Sequence, residues 1–490
     1  MTSTAEHNRA AVHNSIALLL SRVVIAAMGW AGSIVVARLL SPTGWGEFSF
    51  VFGLLGLLSV VTDLGVGRVV LARLVSDDER EVSLVASSYI ALRLMLGLLG
   101  YAVAVGYVLA LHYPASVVRA TAVAGVVVVL ATPSHALTVL FQSRLRLTVV
   151  AVAESLGQAV QLLLTVLAAV LAPLLLVFVL PVIVNELVKI GWKLRSIRRG
   201  DAGPLPSRRV EFSRWRGLLI DAVPLTIGIA LSTLLSKVDI VLLSRLDTFN
   251  SVGLYSVGYK FADGLDVVSF AVVTPALTLL VRAWPGNTPE FRRRTRESVL
   301  ALALLGSVSV AAFWTSAEPI LGLLYGSRFA DATFASRMLV VGAAVSMLSY
   351  LGFTVLVAAD RGRFYPLVGV VGLALNVGLN LVLIPRMSYD GAAIATVVTE
   401  GLVFVVSWML VARTVPVKRL LPLRQMVGML VATALIVAGS EGLSKVVPWP
   451  VLATAGVLAA LGAAWALHVP VIRSVPSFVR DKRTARKTPS

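Results

Sequence analysis

The chain contains no cysteine, which excludes disulfides, thiolate metal sites and thiol nucleophiles together. Charge is scarce as well: 14% of the 490 residues are Asp, Glu, Lys or Arg, against 58% hydrophobic. So few charges cannot cover so much apolar surface in water, so the solvent implied is a bilayer. Histidine is confined to His7, His13, His112, His135 and His468, without metal-ligand spacing. No Walker-type phosphate loop occurs, which removes ATP as a direct energy source. No outward loop exceeds about fifteen residues, so there is no room for a catalytic loop or appended extracytoplasmic domain.

What is present is apolar sequence cut into regular lengths. The start, MTSTAEHNRAAVHNS, is polar, and the run from Ile16 to Leu40 is longer than a signal-peptide core and lacks a small-residue cleavage site. It reads as a retained first membrane span. Windows of about 20 apolar residues suffice to cross about 30 Å of hydrocarbon. Fourteen such windows begin near residues 15, 47, 84, 116, 148, 174, 217, 251, 298, 334, 364, 389, 424 and 450. Proline-bearing breaks such as Ser41-Pro42, Tyr113-Pro114, Trp284-Pro285 and Pro385-Arg386 fall between them. The fold class expected is an all-α polytopic membrane protein of about fourteen spans.

The net charge of +18 would suggest nucleic acid in a soluble protein. In a bilayer protein it reads as basic cytoplasmic loops against anionic headgroups, so no nucleic-acid partner is expected. With a cytoplasmic amino terminus, the inward loops hold Arg68, Arg73, Arg80, Arg144, Arg146, the cluster from KLRSIRRG to SRRVEFSRWR, Arg292 to Arg296, Arg361, Arg363 and Arg413 to Arg424. The outward loops hold mainly Arg245, Arg328, Arg386 and Lys445, so both termini are expected inside. Trp45, Tyr113, Trp192, Trp215, Trp284 and Trp449 sit at span ends and suit an interfacial belt.

Residues 196–216 form the longest loop and contain GDAGPLPS, which reads as a flexible basic linker. It divides an amino-terminal lobe at 1–195 (spans 1 to 6) from a carboxy-terminal lobe at 217–415 (spans 7 to 12). Spans 13 and 14 at 416–472 and a basic cytoplasmic tail at 473–490 follow. A repeat links the halves: ARLLSPTGWGEFS at 37–49 aligns without gaps to SRLDTFNSVGLYS at 244–256, an offset of 207. Arg38, Leu39, Gly46 and Ser49 match Arg245, Leu246, Gly253 and Ser256. An even number of spans separates the copies, as in parallel repeats.

ARLLSPTGWGEFSF and TDLGVGRVVLAR in the first half resemble the polysaccharide transporters, the lipid-linked oligosaccharide (Wzx-like) flippases of the MOP superfamily. KVDIVLLSRLDTFNSVGLYSVGYKFADGL, YGSRFADATFASRMLVVG and LNLVLIPRMSYDGAAIATVVTE in the second half complete the resemblance. The superfamily also holds the MATE drug exporters and the lipid II flippases. The resemblance implies a V-shaped pair of six-span lobes around a central cavity. Alternating access there would carry an undecaprenyl-diphosphate-linked glycan between leaflets, with glycosyltransferases and a glycan polymerase as neighbouring partners. A MATE-type exporter, a lipid II flippase and, in another class, a membrane glycan polymerase or ligase are the rival readings. Such exporters bind cationic drugs in acid-lined cavities, and bases at span depth argue the other way.

Holding a diphosphate head at membrane depth requires cations, because an anion cannot be desolvated unpaired. The candidates for substrate binding are Arg22, Arg93, Lys237, Lys260 and Arg337. Carboxylates at similar depth are Asp63, Glu154, Asp239, Asp263, Asp266 and Glu400, each either an ion-pair partner or a coupling group. Lys260, Asp263 and Asp266 are spaced by three along one side of span 8. Glu154, Gln158 and Gln161 form a stripe on span 5. No cofactor is expected; a proton or sodium gradient, or net consumption of substrate on the far side, is the expected drive, with Asp263 or Asp266 as the coupling group. Asn376 and Asn380 share a face of span 11 and read as packing through interhelical hydrogen bonds. Pro385 is expected to end that span, Arg386 to Asp390 to turn outside, and Gly391, Ala392 and Ala393 to let span 12 approach closely.

Overall fold

The computed structural model describes residues 2–63, 65–75, 78–201 and 206–470; the tail at 473–490 lies outside the described residues. Every regular element among the described residues is helical, as the bilayer demands of a chain whose backbone must satisfy its own hydrogen bonds. The helices are α1 (Thr2–Leu39), α2 (Pro42–Asp63), α3 (Val66–Arg73), α4 (Glu79–Ala110), α5 (Ala115–Ala124), α6 (Val126–Ser143), α7 (Leu147–Leu171) and α8 (Leu175–Arg198). They continue as α9 (Ser213–Leu246), α10 (Phe249–Ala283), α11 (Thr288–Tyr325), α12 (Thr333–Ala358), α13 (Tyr365–Thr414), α14 (Leu423–Leu443) and α15 (Trp449–Ala466). Their starts are set by local chemistry. Asp78 caps α4 by accepting from the Arg80 and Glu81 amides, and Asn287 caps α11 by accepting from the Glu290 amide.

Among the described residues, eleven helical stretches are long and apolar enough to cross a membrane. One of these, Gly362–Thr414, is two arms meeting at Ser388, whose φ of 55° breaks the helix. The 22-residue α2 and 34-residue α9 also have spanning length. Counting the two arms separately and adding α2 and α9, the described residues hold the fourteen expected spans, the fourth assembled from α5 and α6. Pro385 does not end its span, contrary to expectation. The helix runs through it, because the neighbouring turns carry the backbone, and the reversal waits for Ser388. Gly391 then lies so near the Leu383 carbonyl that a Cβ would stand 2.5 Å from it, so the close approach read from Gly391 holds between the two arms.

The chain divides into two compact units, 1–253 and 254–490. In the first, Val66, Val70, Val85, Tyr89, Leu137, Phe141 and Leu218 share a core drawn from α3, α4, α6 and α9. Gly97 lets α4 lie against Thr132 of α6, and Gly157 lets α7 lie against Asn185 of α8. In the second, Leu280, Met347, Leu351, Val355 and Trp408 pack together, and the Trp408 indole donates to the Leu348 carbonyl at 3.0 Å. The appended α14 and α15 pack on α11.

The aromatic belt is only partly realised. Trp192 and Trp449 are exposed, but Trp45 is 1% exposed and Tyr113 is buried, because both lie where helices cross.

Residues 202–205 lie outside the described residues, but 207–215 is not a loose linker. It runs along a serine-bearing edge of α4. The Ser207 amide donates to the Ser83 carbonyl, the Ser87 hydroxyl to the Arg209 carbonyl, the Glu211 amide to the Ser88 hydroxyl and the Trp215 indole to the Ser88 carbonyl. Arg214 pairs with Glu81 and Glu211, and Arg73 with Asp221 at 2.6 Å. The basic composition that reads as flexible is compatible with order because a strand of chain can satisfy its backbone on side-chain hydroxyls. Arg214→Ala is therefore expected to raise tryptic cleavage at Arg208 and Arg209 by about two- to fivefold, the factor such partly exposed pairs carry. Unchanged cleavage would show that the backbone bonds alone hold the strap.

Candidate substrate and coupling site

The best-defined polar assembly lies in the first unit. Arg93, on α4, is 1% exposed, and its guanidinium is fully engaged by protein groups. Nε donates to the Thr132 carbonyl at 3.2 Å, Nη1 to the Thr62 carbonyl at 2.7 Å and to Asp63 Oδ1 at 2.6 Å, and Nη2 lies 3.5 Å from His135 Nδ1. Three helices, α2, α4 and α6, are thus tied by one side chain. Asp63 keeps 47% of its side chain exposed, so its second oxygen remains accessible.

A second buried cation stands nearby that the sequence reading overlooked. Lys193 of α8 is 1% exposed. Its ammonium donates to the Ser134 carbonyl at 3.2 Å, the Ser134 hydroxyl at 3.1 Å and the Thr138 hydroxyl at 2.8 Å. All three donors end on neutral oxygens. Glu154 of α7 and Glu186 of α8 lie within electrostatic range, and Glu186 pairs with Lys189 at 2.8 Å. Asn185 donates to Gln161 Oε1 at 2.5 Å. The signal was in the sequence: Asn185, Lys189 and Lys193 stand at i, i+4 and i+8 of α8, one polar face. Proximity to the basic loop at 195–199 disguised it as the start of that loop.

The remaining candidates are dispersed. Arg22 is exposed on α1. Lys237 is partly buried and Asp239 is 2% exposed, both on α9. Lys260, Asp263 and Asp266 are all partly exposed on α10. Arg337 is at the start of α12, 5.3 Å from the Trp314 ring and 3.9 Å from Glu441, which accepts from the Trp314 indole at 3.0 Å. It therefore joins α11, α12 and α14. Glu400 is partly buried on the second arm of α13. Asn376 and Asn380 are buried, and Asn380 Nδ2 donates to the Asn376 carbonyl at 2.9 Å and to its Oδ1 at 3.1 Å. Those two bonds lie within one helix.

A family model for polysaccharide biosynthesis proteins matches residues 11–278, and one for the lipid II flippase MurJ matches residues 166–453. No curated protein sequence matches. Among solved structures, the lipid II flippase MurJ in an inward closed conformation is similar at a TM-score of 0.75 and 12% identity, covering 93% of this chain and 100% of that one. An inward-facing multidrug resistance MATE family transporter of the MOP superfamily gives 0.66 at 14% identity, covering 81% of this chain and 98% of that one. A MOP superfamily transporter from Pyrococcus furiosus, described as having a binding pocket of reverse polarity, gives 0.56 at 14% identity, covering 81% and 94%. At these identities the structural likeness shows the fold.

Proposed function

This chain belongs to the polysaccharide biosynthesis protein family, and we propose that within it the protein flips an undecaprenyl-diphosphate-linked oligosaccharide across the bacterial cytoplasmic membrane by alternating access. Both termini face the cytoplasm in this reading, and the glycan serves a cell-surface or exported polysaccharide. The observation that carries the substrate class is Arg22, a guanidinium exposed on α1 within the apolar run from 16 to 40. Such a side chain faces water or an anion, and a diphosphate is the anion this job supplies. Lys260, partly exposed on α10, is the second candidate ligand. Arg93 is different, because its guanidinium is already spent on α2 and α6.

The test is transport of a diphosphate-linked glycan lipid in vesicles reconstituted with Arg22→Ala or Lys260→Ala. A loss of about tenfold or more per variant is expected, since removing one hydrogen bond to a charged group is worth roughly 1.5–3 kcal/mol. Full transport by both variants would sink the phosphate reading. Running lipid II alongside the glycan lipid separates this function from the lipid II flippase reading, which the match over 166–453 keeps in play. Coupling to a proton or sodium gradient is assigned to Asp263 or Asp266, and undiminished transport with both changed to Asn would remove that assignment.

A further inference from the structure

The second unit holds a crevice of about 240 Å³ between α10, α11 and α12. Phe261 and Leu265 of α10, Phe313, Ser316 and Ile320 of α11 and Val340 of α12 line it. The rings of Phe261 and Phe313 stand 4.6 Å apart, and the Ser316 hydroxyl is turned back to donate to the Ala312 carbonyl at 2.6 Å. The wall therefore offers hydrocarbon. Along α11 the lining runs from Ser309 to Ile320, about 16 Å of helix. An apolar slot of that length fits an extended alkyl chain.

Charged groups gather beside it. Arg337 stands one turn before Val340 on α12, and on α11 Trp314, next to the lining Phe313, is one turn before Glu318. The Arg337 guanidinium lies 5.3 Å from the Trp314 ring centre, and its Nε is buried with no hydrogen-bond partner among the described residues. Glu441 of α14 is 3.9 Å from Nη1, beyond hydrogen-bond reach, and the same carboxylate oxygen accepts from the Trp314 indole at 3.0 Å. Glu318 is also within electrostatic range of Arg337. Both carboxylates are exposed.

One under-used guanidinium between two solvated carboxylates is a poor site for a plain anion, which the acids would repel. It matches a zwitterion. A phosphate oxygen satisfies Arg337, and an ammonium carries three donors for Glu318 and Glu441. The slot alongside supplies a place for the chain that such a headgroup carries in a bilayer.

We propose that the second unit binds a zwitterionic aminophospholipid, one acyl chain lying in the crevice, its phosphate on Arg337 and its ammonium on Glu318 and Glu441. The bound lipid ties the appended α14 to α11 and α12 through its headgroup. The site is separate from the glycan reading and does not depend on it.

Native mass spectrometry of the delipidated full chain in detergent, with thermal unfolding alongside, tests the site. Dioleoyl phosphatidylethanolamine, dioleoyl phosphatidylglycerol and dioleoylglycerol are titrated in turn. The ethanolamine lipid should be held about threefold or more tightly than the phosphatidylglycerol, the factor that exposed ion pairs carry. It should also raise the unfolding temperature, as a ligand of the folded state does. Glu441→Gln keeps an acceptor for the Trp314 indole while removing the charge, and together with Glu318→Gln it should abolish the preference. Arg337→Gln should weaken both phospholipids by about tenfold or more and leave dioleoylglycerol unchanged. Ala312→Leu, which fills the crevice, should weaken all three. The glutamine changes at the exposed Glu318 and Glu441 read the site even if Arg337→Gln or Ala312→Leu fails to fold. Parental retention of the ethanolamine lipid by Arg337→Gln, or phosphatidylglycerol held as tightly as phosphatidylethanolamine by the parent, overturns the proposal. Displacement of the ethanolamine lipid by an equal concentration of a diphosphate-linked glycan lipid overturns it too, by making the crevice part of a substrate path.

Discussion

Arg93→Ala is expected to remove most of the folded protein from the membrane. The guanidinium that links α4 to Asp63 and the Thr62 carbonyl on α2 and to the Thr132 carbonyl on α6 would be gone. The Thr62 carbonyl, in the last turn of α2, would lose its donor at roughly 1–3 kcal/mol, whereas the Thr132 carbonyl keeps the amide one turn on in α6. The orphaned carboxylate adds less than a fully buried one, because Asp63 is 47% exposed and can be solvated. A total of about 3–5 kcal/mol is a large part of the stability of an ordinary domain. Arg93→Lys should fall between, since one ammonium cannot reproduce a planar fork reaching three acceptors. Thermal unfolding of detergent-purified protein measures the effect. An alanine variant as stable as the parent yet dead in transport would show that Arg93 serves substrate rather than the α2–α4–α6 junction.

Lys193 should behave in the opposite way to two substitutions of similar size. Lys193→Glu places a carboxylate against the Ser134 carbonyl, within range of Glu154 and Glu186, and should abolish folded protein because an unpaired buried charge costs several kcal/mol. Lys193→Met should fold at parental stability or better. The Thr138 hydroxyl already donates to the Ser134 carbonyl at 3.2 Å, so the neutral partners keep one another. A buried ammonium that stability does not require is retained for function, and transport by Lys193→Met should fall by at least about tenfold. Parental transport by the methionine variant would make Lys193 a structural residue, and a poorly folded methionine variant would refute the energetic argument.

The spans were legible because their signal is one-dimensional. A run of about twenty apolar residues must become a helix in lipid whatever its neighbours do, so Leu147–Leu171 and Leu423–Leu443 begin within one residue of the expected starts at 148 and 424. The ends were less legible where tertiary contact overrides local signal. Pro385 looked like a terminus, yet Ser388 is one, because the arms of α13 meet through Gly391 and Leu383. The strap at 207–215 looked mobile because its partners, Ser83, Ser87 and Ser88, lie more than a hundred residues away.

The sequence by itself determined that this is a many-span membrane protein with a repeat at an offset of 207 residues and with bases inside its apolar runs. Hydropathy, charge bias and the 207-residue offset are properties of the chain that no packing can alter. Only the tertiary structure decided which of those bases are spent. Arg93 and Lys193 look alike in sequence to Arg22, but the first two are enclosed by neighbouring helices and the third is exposed. Whether a charge in a span is a strut or a ligand depends on which side of the helix meets protein and which meets open space. That is settled by helix rotation, a quantity written in the partners rather than in the span itself.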